Sequence, residues 1–132
     1  MSHLEHFSQP AGLAPSVGYS HSVTGTGRLI AISGQIALDE IGEVVAPHDP
    51  GAQAERAFEN VKLALAAAGA TFKDVIKLGV FVTDVSFMPL VREVRNRYID
   101  TDHPPASTAV QVSAFVRPGL VLEVEAWALV RD

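Results

Sequence analysis

"DPGAQAERAFENVKLALAAAGATFKDVIKLGVFVT", residues 49–83, contains a change of period that decides the fold. Asp49 can accept hydrogen bonds from a helix's first free N–H groups, and Pro50 suits the first helical position. Ala54, Phe58, Val61, Leu65 and Ala68 then recur at three- and four-residue spacing, the signature of one buried helix face. Gly69 supplies a stop. From residue 75 the period becomes two: Ile76, Leu78, Val80 and Val82 share one side of a strand over 75–83. A helix leading directly into a buried strand is the centre of the fold.

On the N-terminal side, "YSHSVT" (19–24) alternates and ends at "GTG" (25–27), and "RLIAIS" (28–33) is an apolar run of strand length. The two read as a hairpin. The glycines invite a phosphate-loop reading, but no helix follows them, so a turn is preferred. "ALDEIGEVVAP" (37–47) reads as a hairpin or loop. On the C-terminal side, Ser86 can cap a second helix with the stripe Phe87, Leu90, Val91, Val94 and Tyr98, and Pro89 is tolerated in its first turn. Strands over 108–116 and 120–130 follow, joined by "RPG".

The predicted order is β-β-α-β-α-β-β, an α+β fold. Right-handed crossovers place both helices on one face of a single mixed sheet. The last strand then raises a difficulty. Leu122, Val124, Ala126 and Ala128 lie on one side, and Val121, Glu123, Glu125, Trp127 and Leu129 on the other. Both sides are largely apolar, yet only one can lie under the helices, which predicts a homo-oligomer.

The 132 residues predict a single domain over 1–132, with 1–16 as a flexible N-terminal segment. That segment has neither an apolar core nor a basic flank, so no signal peptide is expected. No apolar run approaches the roughly 20 residues that span a bilayer, so no membrane partner is expected. The absence of cysteine removes disulfides, thiolate chemistry and cysteine zinc sites, and suits a cytoplasmic protein. A net charge of −5 with scattered basic residues argues against nucleic acid. His3 and His6 fall in the N-terminal segment, and His21, His48 and His103 are far apart in sequence, so no metal site is expected.

Several residues could carry chemistry. Glu123 and Glu125 point the same way on one strand. They are either a solvated sheet face or, with Val121, Trp127 and Leu129 beside them, acids held at a subunit contact where one could act as a general base. Gly34, in "ISGQ" (32–35), either relieves a bend or lets a ligand approach the backbone. Tyr19 and His21 alternate on the first strand. Arg92, Arg95 and Arg97 line the polar sides of the second helix. In "HPPASTAVQV" (103–112) two prolines stiffen the entry to a strand whose mouth holds only Ala106, Ser107, Thr108 and Ala109.

Together these pieces resemble the RidA/YjgF family of reactive intermediate deaminases. "GYSHSV" is similar to the family's proline-tyrosine-serine-glutamine opening and "ISGQIALD" to its serine-glycine-glutamine strand. Residues 54–85 resemble its helix, glycine stop and strand, and "PASTAVQV" and "LEVEAWAL" its two closing strands. The resemblance spans nearly the whole chain. It implies a chorismate-mutase-like fold and a homotrimer whose sheets form a central barrel, with clefts between subunits. Those clefts bind a 2-imino or enamine acid and hydrolyse it to a keto acid and ammonia without a cofactor.

By the same resemblance, Glu125 would position water, Tyr19 would contribute, and Ser33, Gly34 and Gln35 would contact the ligand. The family's carboxylate-clamping arginine falls at Ser107, and a position that is often cysteine falls at Ala109. His21 stands in place of glutamine. Arg92 occupies a helix position that is asparagine in some members and faces the cleft, so it could supply a relocated cation. Serine cannot form the guanidinium fork. Hydrogen bonds to charged groups contribute about 1.5–3 kcal/mol each, so loss of the pair weakens binding by two or more orders of magnitude. The chain is therefore expected to bind a small metabolite and to be poor on ordinary 2-imino acids. The alternative is a non-catalytic ligand-binding or regulatory trimer.

Overall fold

The computed structural model describes residues 3–131. Eight elements follow in order: β1 (Leu4–Phe7), β2 (Ser22–Gly25), β3 (Arg28–Ile36), α1 (Pro50–Ala67), β4 (Val75–Val82), α2 (Met88–Arg95), β5 (Ala106–Gln111) and β6 (Leu122–Val130). Four strands form one mixed sheet in the order β3-β6-β4-β5, and β1 pairs with β2 separately. The sheet is antiparallel except for β4 and β5, which run parallel in the register Lys77↔Ala106 to Val82↔Gln111.

The helix-to-strand block folds as its period demands. Asp49 caps α1, its Oδ1 accepting from the Ala52 N–H at 3.1 Å, with Pro50 in the first turn. Gly69, at φ +80°, ends it. Ala54, Ala57, Phe58, Val61 and Leu65 are fully buried against the sheet. Truncating Phe58 or Leu65 to alanine removes about 2–5 kcal/mol, the usual loss for a large buried side chain. In β4 the pairing with β6 shifts register between Val75 and Lys77, so Val75 rather than Ile76 takes the buried place.

Three expectations need correction. Residues 1–16 do not lack structure throughout: Leu4 to Phe7 pair antiparallel with Gly25 to Ser22, and Leu4 is buried. A four-residue strand is too short to announce itself by period. The stretch 19–24 consequently forms no hairpin with 28–33. β2 is taken by β1, while β3 lies along β6. Finally, Asp84 and not Ser86 makes the cap before α2, accepting from the Ser86 N–H at 2.9 Å and opening a 3-10 turn over Val85–Phe87.

The next-to-last strand is also shorter than predicted. β4 ends at Val82, and beyond the last rung, Val112 N–H to Val82 O at 2.8 Å, β5 has no neighbour to pair with. The inner face of β6 is as expected, with Leu122, Val124, Ala126 and Ala128 buried beneath the helices. Opposite, Trp127 remains 41% and Leu29 60% exposed on the helix-free face. Val121 belongs to neither face. It precedes β6, is buried, and donates its N–H to Gln53 Oε1. No helix among the described residues is long and apolar enough to cross a membrane.

Candidate functional site

A groove of about 560 Å³ runs between α2 and β5, and the segment before β2 closes one end. Its β5 wall is Ser107 and Ala109, its α2 wall Met88, Arg92 and Arg95, and its end Gly18 and Tyr19. Register explains the first wall. Ser107 and Ala109 pair with Leu78 and Val80, both buried under the helices, so they share that side of the sheet.

The two prolines before β5 have a specific use here. Pro104 O accepts from Ser20 Oγ at 2.6 Å and Pro105 O from the Ser20 N–H at 3.1 Å. Ser20 also bridges to Ala106, and it is buried. A proline carbonyl can accept while its nitrogen demands no partner, so the stiff entry becomes a receiving edge for the segment that carries Tyr19. The Tyr19 ring meets His21 edge-on at 5.4 Å, and His21 Nε2 reaches Ala14 O at 2.6 Å.

Arg95 is the residue that the sequence reading placed wrongly. It is only 8% exposed, although the sequence sets it with Arg92 and Arg97 on the polar sides of the helix. Met88, Val91 and Arg95 fall three and four residues apart on one stripe, a spacing that contained the signal. Its Nε and Nη2 donate to Asn96 Oδ1 at 3.2 and 3.1 Å. Burial, and then the charge of Arg92, lower its proton affinity below the arginine norm. Among the described residues no carboxylate forms an ion pair with Arg95 or Arg92. Gly18, at φ +78°, makes the approach possible, because a Cβ there would lie 3.0 Å from Arg95 Nη2.

The remaining candidates lie elsewhere. Pairing of β3 with β6 skips Ser33 and Gly34, which form a bulge, and Gln35 Nε2 donates to Ser33 O at 3.2 Å. A Cβ on Gly34 would collide with the Glu123 carboxylate. Glu125 lies on the helix-free face opposite Gly79, near the Lys77 Nζ to Thr108 Oγ1 hydrogen bond of 2.7 Å. Within the chain, then, Tyr19, Arg92, Ser107 and Ala109 come together in the groove, while Glu125 and Ser33–Gln35 do not line it.

Three histidines that seemed scattered do meet. His3, His6 and His103 line a second cavity of about 530 Å³ with Asp74 and Asp100, and the His6 and His103 rings are 5.8 Å apart. Among the described residues no group of three or more His, Asp or Glu is placed to hold a metal ion.

The two helices on one face of a mixed sheet, with a bulged glycine strand and a groove behind a proline-stiffened strand, define a class, and sequence comparison agrees. The model of the family described as Endoribonuclease L-PSP matches residues 10–130. The chain belongs to this family, to which the RidA and YjgF proteins belong. It is 40% identical to Protein DfrA of Myxococcus xanthus over 121 residues, covering 91% of this chain and 88% of that one. It is 34% identical to the 2-iminobutanoate/2-iminopropanoate deaminase of Bos taurus over 120 residues, 91% of this chain and 83% of that one. Among solved structures, the Rid-family protein YyfB of Yersinia pestis superimposes with a TM-score of 0.83 at 32% identity, covering 97% and 99% of the two chains.

Proposed function

We propose that this protein is a homotrimeric, cofactor-free cleft protein of the cytoplasm that binds a small acidic metabolite and hydrolyses its imine or enamine form. The observation that carries the reading is the buried Arg95 guanidinium, which has no carboxylate partner among the described residues and faces the same groove as Ser107. An arginine without a counterion is costly to bury, and such groups concentrate at functional sites. The cation that Ser107 cannot supply would come from α2 instead.

The groove alone lacks a base. Glu125 sits on the helix-free face, which also exposes Trp127 and Leu29. Packing that face against a second and third copy would cover the apolar side chains and bring Glu125 of a neighbouring copy to the groove's edge. The arginines would hold the ligand's acid group while Glu125 removes a proton from water. The water oxygen bonds to the imine carbon and the proton passes to the nitrogen, giving a carbinolamine; its hydroxyl proton then moves to the nitrogen, the C–N bond breaks, and ammonia leaves as the keto group forms. Tyr19 would orient the ligand from the far end. The chain's acidic balance argues against RNA as the ligand.

The test is hydrolysis of a panel of freshly generated imines and enamines, with sedimentation equilibrium of the same preparation. A mass near three chains and a rate lost in Glu125→Gln is the expected result. No acceleration by wild type on any substrate, with acid binding retained, would favour the non-catalytic binding trimer, a reading that Ser107 in the clamp position supports. A stable monomer would defeat the shared cleft.

A further inference from the structure

The groove's charge pattern says more about its ligand than that it is an acid. Arg95 has five N–H donors and gives two of them to Asn96, which leaves three among the described residues. Arg92 stands one turn earlier on the same side of α2, at the exposed rim of the same groove. The third arginine of this region, Arg97, is neutralised by Glu55 at 3.0 Å and Glu93 at 3.7 Å. Glu55 and Glu93 are thus engaged by Arg97. Two cations face the groove, one deep and one at the rim, and among the described residues of the chain itself no carboxylate lines it. This happens in a chain whose net charge is −5.

A single carboxylate satisfies one guanidinium fork. It would leave the second cation uncompensated and repelled by the first. From this arrangement we infer that the groove is selective for a small dicarboxylic acid, with one acid group on Arg95 and the other on Arg92. Ser107 and Ala109 keep the β5 wall short and neutral, so that the ligand's carbon chain can lie between the two ends. Asn96 is a positioning residue: by holding Nε and one Nη2 hydrogen it turns the remaining edge of Arg95 toward the groove. The inference rests on the groove being the acid-binding site proposed above.

Calorimetric titration at low ionic strength separates the two ideas, with glutarate and succinate as two-headed probes, butyrate as a one-headed probe and inorganic phosphate as a compact anion. Wild type should bind glutarate or succinate at least tenfold more tightly than butyrate. Arg92→Gln should bring that ratio close to one. Arg95→Gln should remove binding of all four; if it fails to fold, Asn96→Ala, at an exposed position, should weaken all three carboxylic acids by misdirecting Arg95. Equal binding of glutarate and butyrate overturns the dicarboxylate inference and leaves an acid site standing. Preference for phosphate over every carboxylate overturns it in favour of a one-headed anion. No binding of any probe to folded wild type overturns the acid site as well.

Discussion

Gly79 and Glu125 face each other on neighbouring strands, and a Cβ on residue 79 would lie 2.7 Å from Glu125 Cγ and 3.3 Å from its Oε2. The position of the Glu125 side chain therefore depends on what its neighbour lacks. Gly79→Ala should move that carboxylate without unfolding the chain, since overpacking by one methyl costs about 1–3 kcal/mol. Hydrolysis should fall nearly as far as in Glu125→Gln, and the double variant should be no worse than the single. Additive losses, read from kcat in all four proteins, would show that the glycine acts elsewhere.

Gln53 ties the start of α1 to the loop before β6. Its Nε2 donates to Gly119 O at 2.7 Å and Ala46 O at 3.1 Å, and its Oε1 accepts from Val121 N–H at 2.9 Å, all from a fully buried position. Gln53→Ala strands those backbone groups, each at a cost of about 1–3 kcal/mol when water cannot reach it. We expect the Tm to drop by roughly 10 °C. A fall under 2 °C in a thermal scan would mean that water replaces the amide.

Acid should loosen the second cavity. Burial first, then the charge of His103, hold His6 below the ordinary histidine value, while Asp100 acts in the opposite sense. The folded protein thus takes up this proton less readily than the unfolded chain. The contribution of His6 to stability is intact above the unfolded histidine value of about 6.5 and is lost as pH falls through it. His3, Asp74 and Lys73 line the same cavity. Between pH 7 and pH 5, wild type should lose more Tm than His6→Gln does. Parallel curves would remove His6 from the account.

In the proposed trimer the helix-free face carries the assembly. Trp127 and Leu29 are exposed there, and Trp127 pairs with Ala31 on one side and Lys77 on the other, in the middle of the sheet. Trp127→Glu places a charge at that centre and should shift the sedimenting mass from three chains toward one while the far-ultraviolet spectrum stays native-like. A charged variant that still sediments as a trimer would move the interface off this face.

What could be read in advance follows from the range of each signal. Helix α1 was legible because Asp49, Gly69 and the spacing of Phe58, Val61 and Leu65 are all local. The inner face of β6 was legible for the same reason, since alternation states which side a residue takes. Alternation does not state which strand lies alongside, so the claim of β1 on β2 was invisible. Arg95 lay within reach of the helical count, but a charged side chain is assigned to solvent by habit, and only packing shows it buried. That Ser107 and Glu125 fall on opposite sides of one sheet follows from the β4–β5 and β4–β6 registers, which join residues 29 to 53 positions apart.

Ser20 has a mechanical consequence. Two hydrogen bonds and a bridge fasten it to Pro104, Pro105 and Ala106, so Tyr19 and Ser107 are bolted to the same beam. The opposite wall is different in kind: α2 begins without a side-chain hydrogen bond to its first turn, and although Asn96 holds Arg95, the exposed Arg92 at the rim is long and rotatable. The groove works as a vice with one fixed jaw and one adjustable jaw. Ligands should be sorted by shape on the Tyr19–Ser107 side and by the reach of their charge on the other.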